Sequence, residues 1–262
     1  MRAKGIDISK WQVYFNYKGN IDFVIVKASE GLHWDPKHEH YQSHIASVPI
    51  RGAYHYFRTT VDPIMQAETF LDAILNCDYH FLAVDYEATG NTLDRQGADN
   101  LLRCLEHLSV RQDRPVLIYT SPYIYRDNLR VWDEMFDTFP VWIAKWHTVG
   151  PGVIIGREWD LWQWTSSADG EQAGVGSEFV DRNVYNGTIE QMKRWLGIEE
   201  DKMKAWYESK TIWVGIIEIG IAILGLAATF LEAGDYTAPA ITLLVVGILK
   251  IALRSVSETA IE

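Results

Sequence analysis

The chain has 262 residues, enough for one large domain and a smaller appendage. Its formal net charge of −11 argues against nucleic-acid binding, which rests on Lys and Arg set against phosphate. Only Cys77 and Cys104 occur, with neither metal-ligand spacing nor a disulfide framework, so both are expected as buried thiols within helices. The 11 Trp and 13 Tyr suit both core packing and the aromatic faces of carbohydrate sites. Met1–Asp7 runs straight into a strand without an apolar signal-peptide core, so export by that route is not expected.

Short apolar, β-rich runs recur at Gly5–Ser9, Phe23–Ala28, Arg51–Phe57, Phe81–Glu87 and Val116–Thr120. Helical stretches lie between them. Asp35–Ser47 and Asp62–Asn76 each open with Asp-Pro, a helix-start pair. Thr92–Ser109 carries Leu101, Leu102, Leu105 and Leu108 at helical spacing, and Ser121-Pro122 starts a further helix to about Phe136. Alternating strands and helices predict parallel βα units. After Val141–Trp146 the pattern changes. The links His147–Arg157 and Ser166–Glu178, before the runs Glu158–Thr165 and Phe179–Tyr185, have turn chemistry. A parallel crossover needs about a dozen residues or more. The last strands are therefore expected to join as antiparallel hairpins. The prediction is an α/β fold, a modified TIM-like barrel of five βα units plus three further strands, closed by a helix at Thr188–Leu196. At about 190 residues it falls just under the usual size of an eight-stranded α/β barrel.

Phe81–Glu87 is the run that points to chemistry. Asp85 and Glu87, spaced i, i+2, share one side of a strand with Cα atoms roughly 6.5 Å apart. Two neighbouring acids at a strand end suit glycoside hydrolysis, one as proton donor and one stabilising the positive transition state. Barrel enzymes carry their chemistry at the C-terminal ends of strands. There the sequence places Asp7, Lys27, Glu30, Tyr54, Tyr56, Tyr119, Trp142, Gln163 and Asp181 as well. Each has a plainer reading. Asp7 can cap a turn, Lys27 and Glu30 can form a structural ion pair, and Tyr54, Tyr56 and Trp142 can fill the barrel. Gln163 can satisfy backbone groups, and Asp181 can be a loop residue. Their convergence on one mouth favours function.

The sequence resembles the Chalaropsis-type lysozymes, glycoside hydrolase family 25, which are N-acetylmuramidases of bacteria and their phages. The matching residues are Gly5-Ile6-Asp7-Ile8-Ser9 with Trp11-Gln12, Asp22–Gly31, Gly52–Phe57, the Asp85-x-Glu87 pair and Ile118-Tyr119-Thr120. Val141–Ala144, Leu161–Trp164 and Val180-Asp181-x-Asn183 complete the match, which reaches about Gly197. The resemblance implies a barrel of five βα units and three further strands. It also implies hydrolysis of the β-1,4 bond between N-acetylmuramic acid and N-acetylglucosamine in peptidoglycan. By position, Glu87 is implied as general acid and Asp85 as stabiliser of the oxocarbenium or oxazolinium ion, with Asp7 and Asp181 completing the acidic floor. Tyr54, Tyr56, Tyr119 and Trp142 are implied to line the saccharide groove. No metal and no organic cofactor are expected.

The C-terminus departs from the family. A charged linker over 199–210 precedes two apolar runs at about 211–231 and 237–253, joined by Glu232-Ala233-Gly234-Asp235. The first run has the length a membrane helix needs and one charge, Glu218. The expected organisation is a muramidase barrel at 1–198, the linker, and a transmembrane helical hairpin within 211–262, its lipid contact through 211–253. A soluble amphipathic or self-associating hairpin is the other reading. Wall-binding repeats, usual in lysins, are absent. Two functions stand: a membrane-tethered muramidase, phage or prophage encoded, or a membrane-inserting effector whose barrel only docks cell-wall glycan. Lys202, Lys204, Lys210, Lys250 and Arg254 flank the runs, which places both termini on the cytoplasmic face until lysis unless a virion delivers the protein.

Overall fold

The computed structural model describes residues 1–146, 150–152 and 157–198. The linker and the hairpin expected over 211–253 lie outside the described residues. No helix among the described residues is long and apolar enough to cross a membrane. Met1–Ile198 form one compact unit.

The strands are β1 (Lys4–Ile8), β2 (Phe23–Glu30), β3 (His33–Trp34), β4 (Ile50–Tyr56), β5 (Phe81–Asp85), β6 (Val116–Thr120), β7 (Val141–Ala144), β8 (Leu161–Asp169) and β9 (Phe179–Tyr185). Eight of them close a ring in the order β1-β2-β4-β5-β6-β7-β8-β9, because β1 pairs with both β2 and β9. The two-residue β3 is an antiparallel spur on β2. Within the ring, pairing is parallel from β1 through β2 and β4 to β8, and β9 alone runs antiparallel to its neighbours. This corrects one expectation: β7 and β8 are not a hairpin. β7 stops at Ala144 and β8 starts at Leu161, so their link spans 145–160 and clears the length a parallel crossover requires.

The helices begin where their caps dictate. Asp62 accepts the N–H groups of Ile64 and Met65, with Pro63 at the first position, and starts α1 of the crossovers' outer layer at Pro63–Ala73. Asp94 accepts from Gly97 N at 2.7 Å and starts α2 (Arg95–Arg111). Thr188 and Gln191 form a reciprocal capping box at the head of the closing helix α3 (Ile189–Trp195). Asp35 behaves differently from its expected role. It accepts from Lys37 N in a tight turn, and the helix that follows occupies only His38–Ile45. The helix expected from Ser121 to Phe136 is also broken. A short α-turn (Pro122–Ile124) passes into a π-helical turn (Tyr125–Arg130), and Asp133 then caps a separate 3₁₀ turn (Glu134–Thr138). Cys104 is buried in α2, whereas Cys77 is half-buried beyond the end of α1 rather than inside a helix.

Strand alternation divides the core into two layers. Ile6, Ile8, Val24, Val26, Leu82, Val84, Ile118 and Ile143 face outward into the helix-covered layer. Phe23, Ile25, Phe81, Ala83, Leu117, Tyr119, Trp142 and Leu161 face inward and fill the barrel. Burying each large side chain contributes about 1.5–3 kcal/mol. Two inward glycines make room for the rings at the closed end. A Cβ on Gly5 would stand 2.3 Å from the Phe23 ring, and one on Gly52 would stand 2.4 Å from Phe81. Gly52→Ala should therefore lower the unfolding free energy by about 1–3 kcal/mol through overpacking. Urea denaturation should show that penalty shrinking in a Phe81→Leu background. Strictly additive effects would rule out the ring contact as the cause.

Candidate active site

The inward positions turn from apolar to polar toward the C-terminal ends of the parallel strands. Register lines up Tyr56, Asp85, Tyr119 and Trp142 across β4, β5, β6 and β7. On the other side of the ring, Asp7 of β1 stands directly opposite Asp181 of β9. The barrel thus brings Asp7, Asp85, Glu87 and Asp181 to one mouth, as the strand ends predicted. Asp85 is the last residue of β5 and is buried, while Glu87 lies two residues beyond the strand and is half-buried.

Asp7 is held by two amides. Its Oδ2 accepts from Asn183 Nδ2 at 2.8 Å and from Gln163 Nε2 at 3.0 Å. Each amide is locked in orientation by donors on its oxygen. Trp142 Nε1 donates to Asn183 Oδ1 at 2.8 Å. The Tyr119 hydroxyl and Trp146 Nε1 donate to Gln163 Oε1 at 2.9 and 3.0 Å. The NH₂ groups are left with one direction, toward Asp7. Asp85 differs: its Oδ1 is buried and has no hydrogen-bond partner among the described residues. A buried carboxylate oxygen without a donor is costly, and an incoming N–H or O–H would satisfy it.

Burial raises the pKa of all four acids. For Asp85, whose pKa goes well above the usual carboxylate range, the charge of Glu87 adds to burial. Glu87 is raised less, by burial and by Asp7, with the nearby Tyr119 hydroxyl offsetting part of the rise. Asp181 is raised by burial and by the Asp7 carboxylate it faces. Burial raises Asp7 too, against the pull of its two amide donors.

Lys27 and Glu30 form the ion pair of their plainer reading. Lys27 Nζ stands 2.6 Å from Glu30 Oε2, and Arg58 binds the other carboxylate oxygen. These two cations hold Glu30 at about 2, against its burial. Both also flank the Tyr56 ring, at 4.8 and 4.7 Å from its centroid.

The aromatic expectations need correction. Trp142 is 1 % exposed and Tyr119 6 %, so neither presents an open face to a sugar. Their rings meet at 4.4 Å, tilted by 58°, Tyr54 meets Trp142 edge-on at 6.1 Å, and the polar tips of Trp142 and Tyr119 orient the amides. Gln163 is likewise buried, with its oxygen accepting two donors and its nitrogen donating to Asp7, so it positions Asp7. Tyr54 and Tyr56 remain partly accessible. Asn183, Trp146 and Arg58 join the site without having been singled out as site residues. Asn183 was detectable as the residue two beyond Asp181 on one strand face. Trp146, 58 % exposed, follows the end of β7 and offers an aromatic surface at the mouth. Among the described residues, no three His, Cys, Asp or Glu side chains are grouped as metal ligands.

The raised acids have a consequence for stability. Burial favours the protonated forms of Asp7, Asp85, Asp181 and Glu87 more in the native state than in the unfolded chain, whose carboxyls titrate at about pH 4. Stability from this source is full below that pH and is lost as pH rises through the raised values. Glu30 has the opposite sign: its contribution is present above the ordinary carboxylate range and is lost as pH falls toward about 2. The melting temperature should decline from pH 5 to pH 9, and Asp181→Asn should flatten the decline and raise the value at pH 9. A melting temperature that rises with pH over that interval would contradict the burial of these acids.

Comparison with known proteins agrees with this geometry. The glycosyl hydrolases family 25 profile matches residues 6–173. The uncharacterized protein YegX of Escherichia coli O6:H1 is 30% identical over 209 residues, covering 75% of this chain and 74% of that protein. The bacterial lysozyme of Streptomyces coelicolor superposes with a TM-score of 0.64 at 25% identity, covering 76% of this chain and 97% of the lysozyme. A muramidase from Acremonium alcalophilum has the same fold, with a TM-score of 0.62 at 20% identity over 76% of this chain and 100% of the muramidase. With four acids at the mouth of a barrel of this topology, the chain belongs to glycosyl hydrolases family 25 and is a glycoside hydrolase.

Proposed function

We propose that the enzyme is a muramidase that cleaves the β-1,4 bond between N-acetylmuramic acid and N-acetylglucosamine in peptidoglycan. The observation that carries this reading is the unpartnered Oδ1 of Asp85 beside the more accessible Glu87. Two neighbouring carboxyls, both raised by burial, titrate as a pair and favour sharing one proton. In the free enzyme burial and the charge of Glu87 favour the neutral form of Asp85. An N-acetyl N–H of the substrate, donated to Oδ1, would stabilise the Asp85 carboxylate and leave the proton on Glu87. Glu87 then protonates the glycosidic oxygen. The sugar's own acetamido carbonyl closes on the anomeric carbon as the leaving hydroxyl departs, and Asp85 stabilises the resulting oxazolinium charge. Water opens that ring after Glu87, now a carboxylate, takes its proton. Asp7 and Asp181 form the floor that keeps this pair dry and oriented. The lysozyme and muramidase names among the structural neighbours support the substrate class.

We further propose that residues 199–262 tether the barrel to a membrane and that the barrel works as an independent unit, reaching the wall at lysis. The alternative, a membrane effector whose barrel merely docks glycan, has no use for two neighbouring buried carboxyls, one of them with an unsatisfied oxygen.

Glu87→Gln should lower turnover on purified peptidoglycan by about 10²–10⁴-fold with the thermal transition intact. Asp85→Asn should be comparably severe. New reducing ends should be muramic acid, and ends that prove to be glucosamine would reassign the bond. A folded Glu87→Gln protein with near-normal turnover would remove the acid assignment. Residues 1–198 alone should keep the turnover of the full chain, and a truncated protein unable to fold or cleave would show that the C-terminal part belongs to the catalytic unit.

A further inference from the structure

Beside the acids, the loops that follow β1, β2 and β4 enclose a cleft of about 400 Å³. Its charge differs from that of the protein around it. Lys10, Lys27 and Arg58 line it against Glu30 and Asp35, in a chain whose net charge is −11. Both acids are already engaged. Glu30 is bound by Lys27 and by Arg58 together. Asp35 is buried and accepts the backbone N–H groups of Lys37 at 3.0 Å and Lys10 at 3.3 Å. The Lys10 ammonium lies 5.2 Å from the centroid of the exposed Trp11 ring and pairs with no carboxylate among the described residues. The lining thus sets three cations against two carboxylates, and Lys10 is the cation with no carboxylate partner among the described residues. Two exposed apolar side chains, Leu32 and Trp34, stand at the same cleft.

The cleft adjoins the acids. Tyr56, the ring between Lys27 and Arg58, is the direct strand partner of Asp85. A ligand in the cleft is thus one strand away from Asp85. Neutral sugars are recognised by aromatic faces and neutral hydrogen bonds, and have no need of an uncompensated ammonium. The wall polymer also carries a peptide on its muramic acid residues, with free carboxylates and small apolar side chains. The acidic floor repels such a branch, so it needs a cationic wall to lie against.

We infer that this cleft receives the anionic peptide branch of the glycan, its carboxylates set against Lys10 and Arg58 and its apolar groups against Leu32 and Trp34. The inference rests on the muramidase reading and adds to it a means of selecting peptide-bearing strands. Arg58 also holds Glu30, so Lys10 is the residue that isolates the effect.

The test uses the full chain and its Lys10→Glu and Lys10→Arg variants. The substrates are intact peptidoglycan and the same glycan stripped of its peptides by an amidase. Lys10→Glu should raise KM on the intact polymer about five- to tenfold with kcat little changed. That loss should shrink as salt screens the contact. Lys10→Arg should behave like the parent, and all three proteins should cleave the stripped glycan with equal KM. An equal effect of Lys10→Glu on both substrates, or none on the intact one, overturns the branch site while leaving the muramidase reading in place. A parent protein that cleaves neither substrate removes both.

Discussion

A carboxylate set inside a barrel must be given donors or lose its charge, and Asp7 meets that constraint with two side-chain amides rather than with water or a cation. Both amides donate to the same oxygen, from Asn183 at 2.8 Å and Gln163 at 3.0 Å. An amide can turn over and present its oxygen instead, which would place two acceptors face to face. Trp142, Tyr119 and Trp146 prevent this by donating to the amide oxygens. Leaving one of these buried groups unpaired would cost about 1–3 kcal/mol. The network runs through β1, β6, β7, β8 and β9 and the residue Trp146 beyond β7. Closure of the barrel and construction of the acidic floor are therefore one event.

The interior is graded along the strands, and the grading makes the chemistry available. At the closed end Phe23 and Phe81 fill the space that Gly5 and Gly52 leave. Ile25, Ala83 and Leu117 follow, and then the belt of Tyr119 and Trp142. The acids stand on this apolar column, so burial is the largest cause of the rise in each of their pKa values. Water at the same position would leave the carboxyls at their ordinary acidity. The outward face follows a different rule. His55 is buried between Ser29 Oγ at 2.8 Å and Gln66 Oε1 at 3.3 Å, and burial lowers it to about 4. It is a neutral pin between β4 and α1, remote in function from proton transfer at the mouth.

Charge is partitioned across the mouth in the same way. Four acids stand at the mouth, while Lys10, Lys27 and Arg58 lie to the side formed by β2 and the loops after β1 and β4. Glu30 keeps two of these cations in place and is itself kept ionised by them. A protein with a large negative charge can in this way hold one cationic wall close to its carboxylates without collapsing the two into ion pairs.

The sequence by itself determined the strand runs, the helix starts at Asp62 and Thr188, and the pair Asp85 and Glu87, because these depend on neighbours close along the chain. The resemblance to the family rested on the same local runs. Tertiary structure decided what depends on partners far apart. Asp7 and Asn183 are 176 residues apart and meet only because β1 lies between β2 and β9. Trp142 and Gln163 read as ligand contacts in one dimension, and only closure of the ring showed their polar atoms already spent on other side chains. The parallel course of β7 and β8 was hidden because its link has turn-like composition. Chain direction there is set by how many residues are available to cross the barrel, and that number depends on where packing ends one strand and starts the next. That Lys10 has no carboxylate partner among the described residues was equally invisible, since ion pairing between distant residues is a property of the fold.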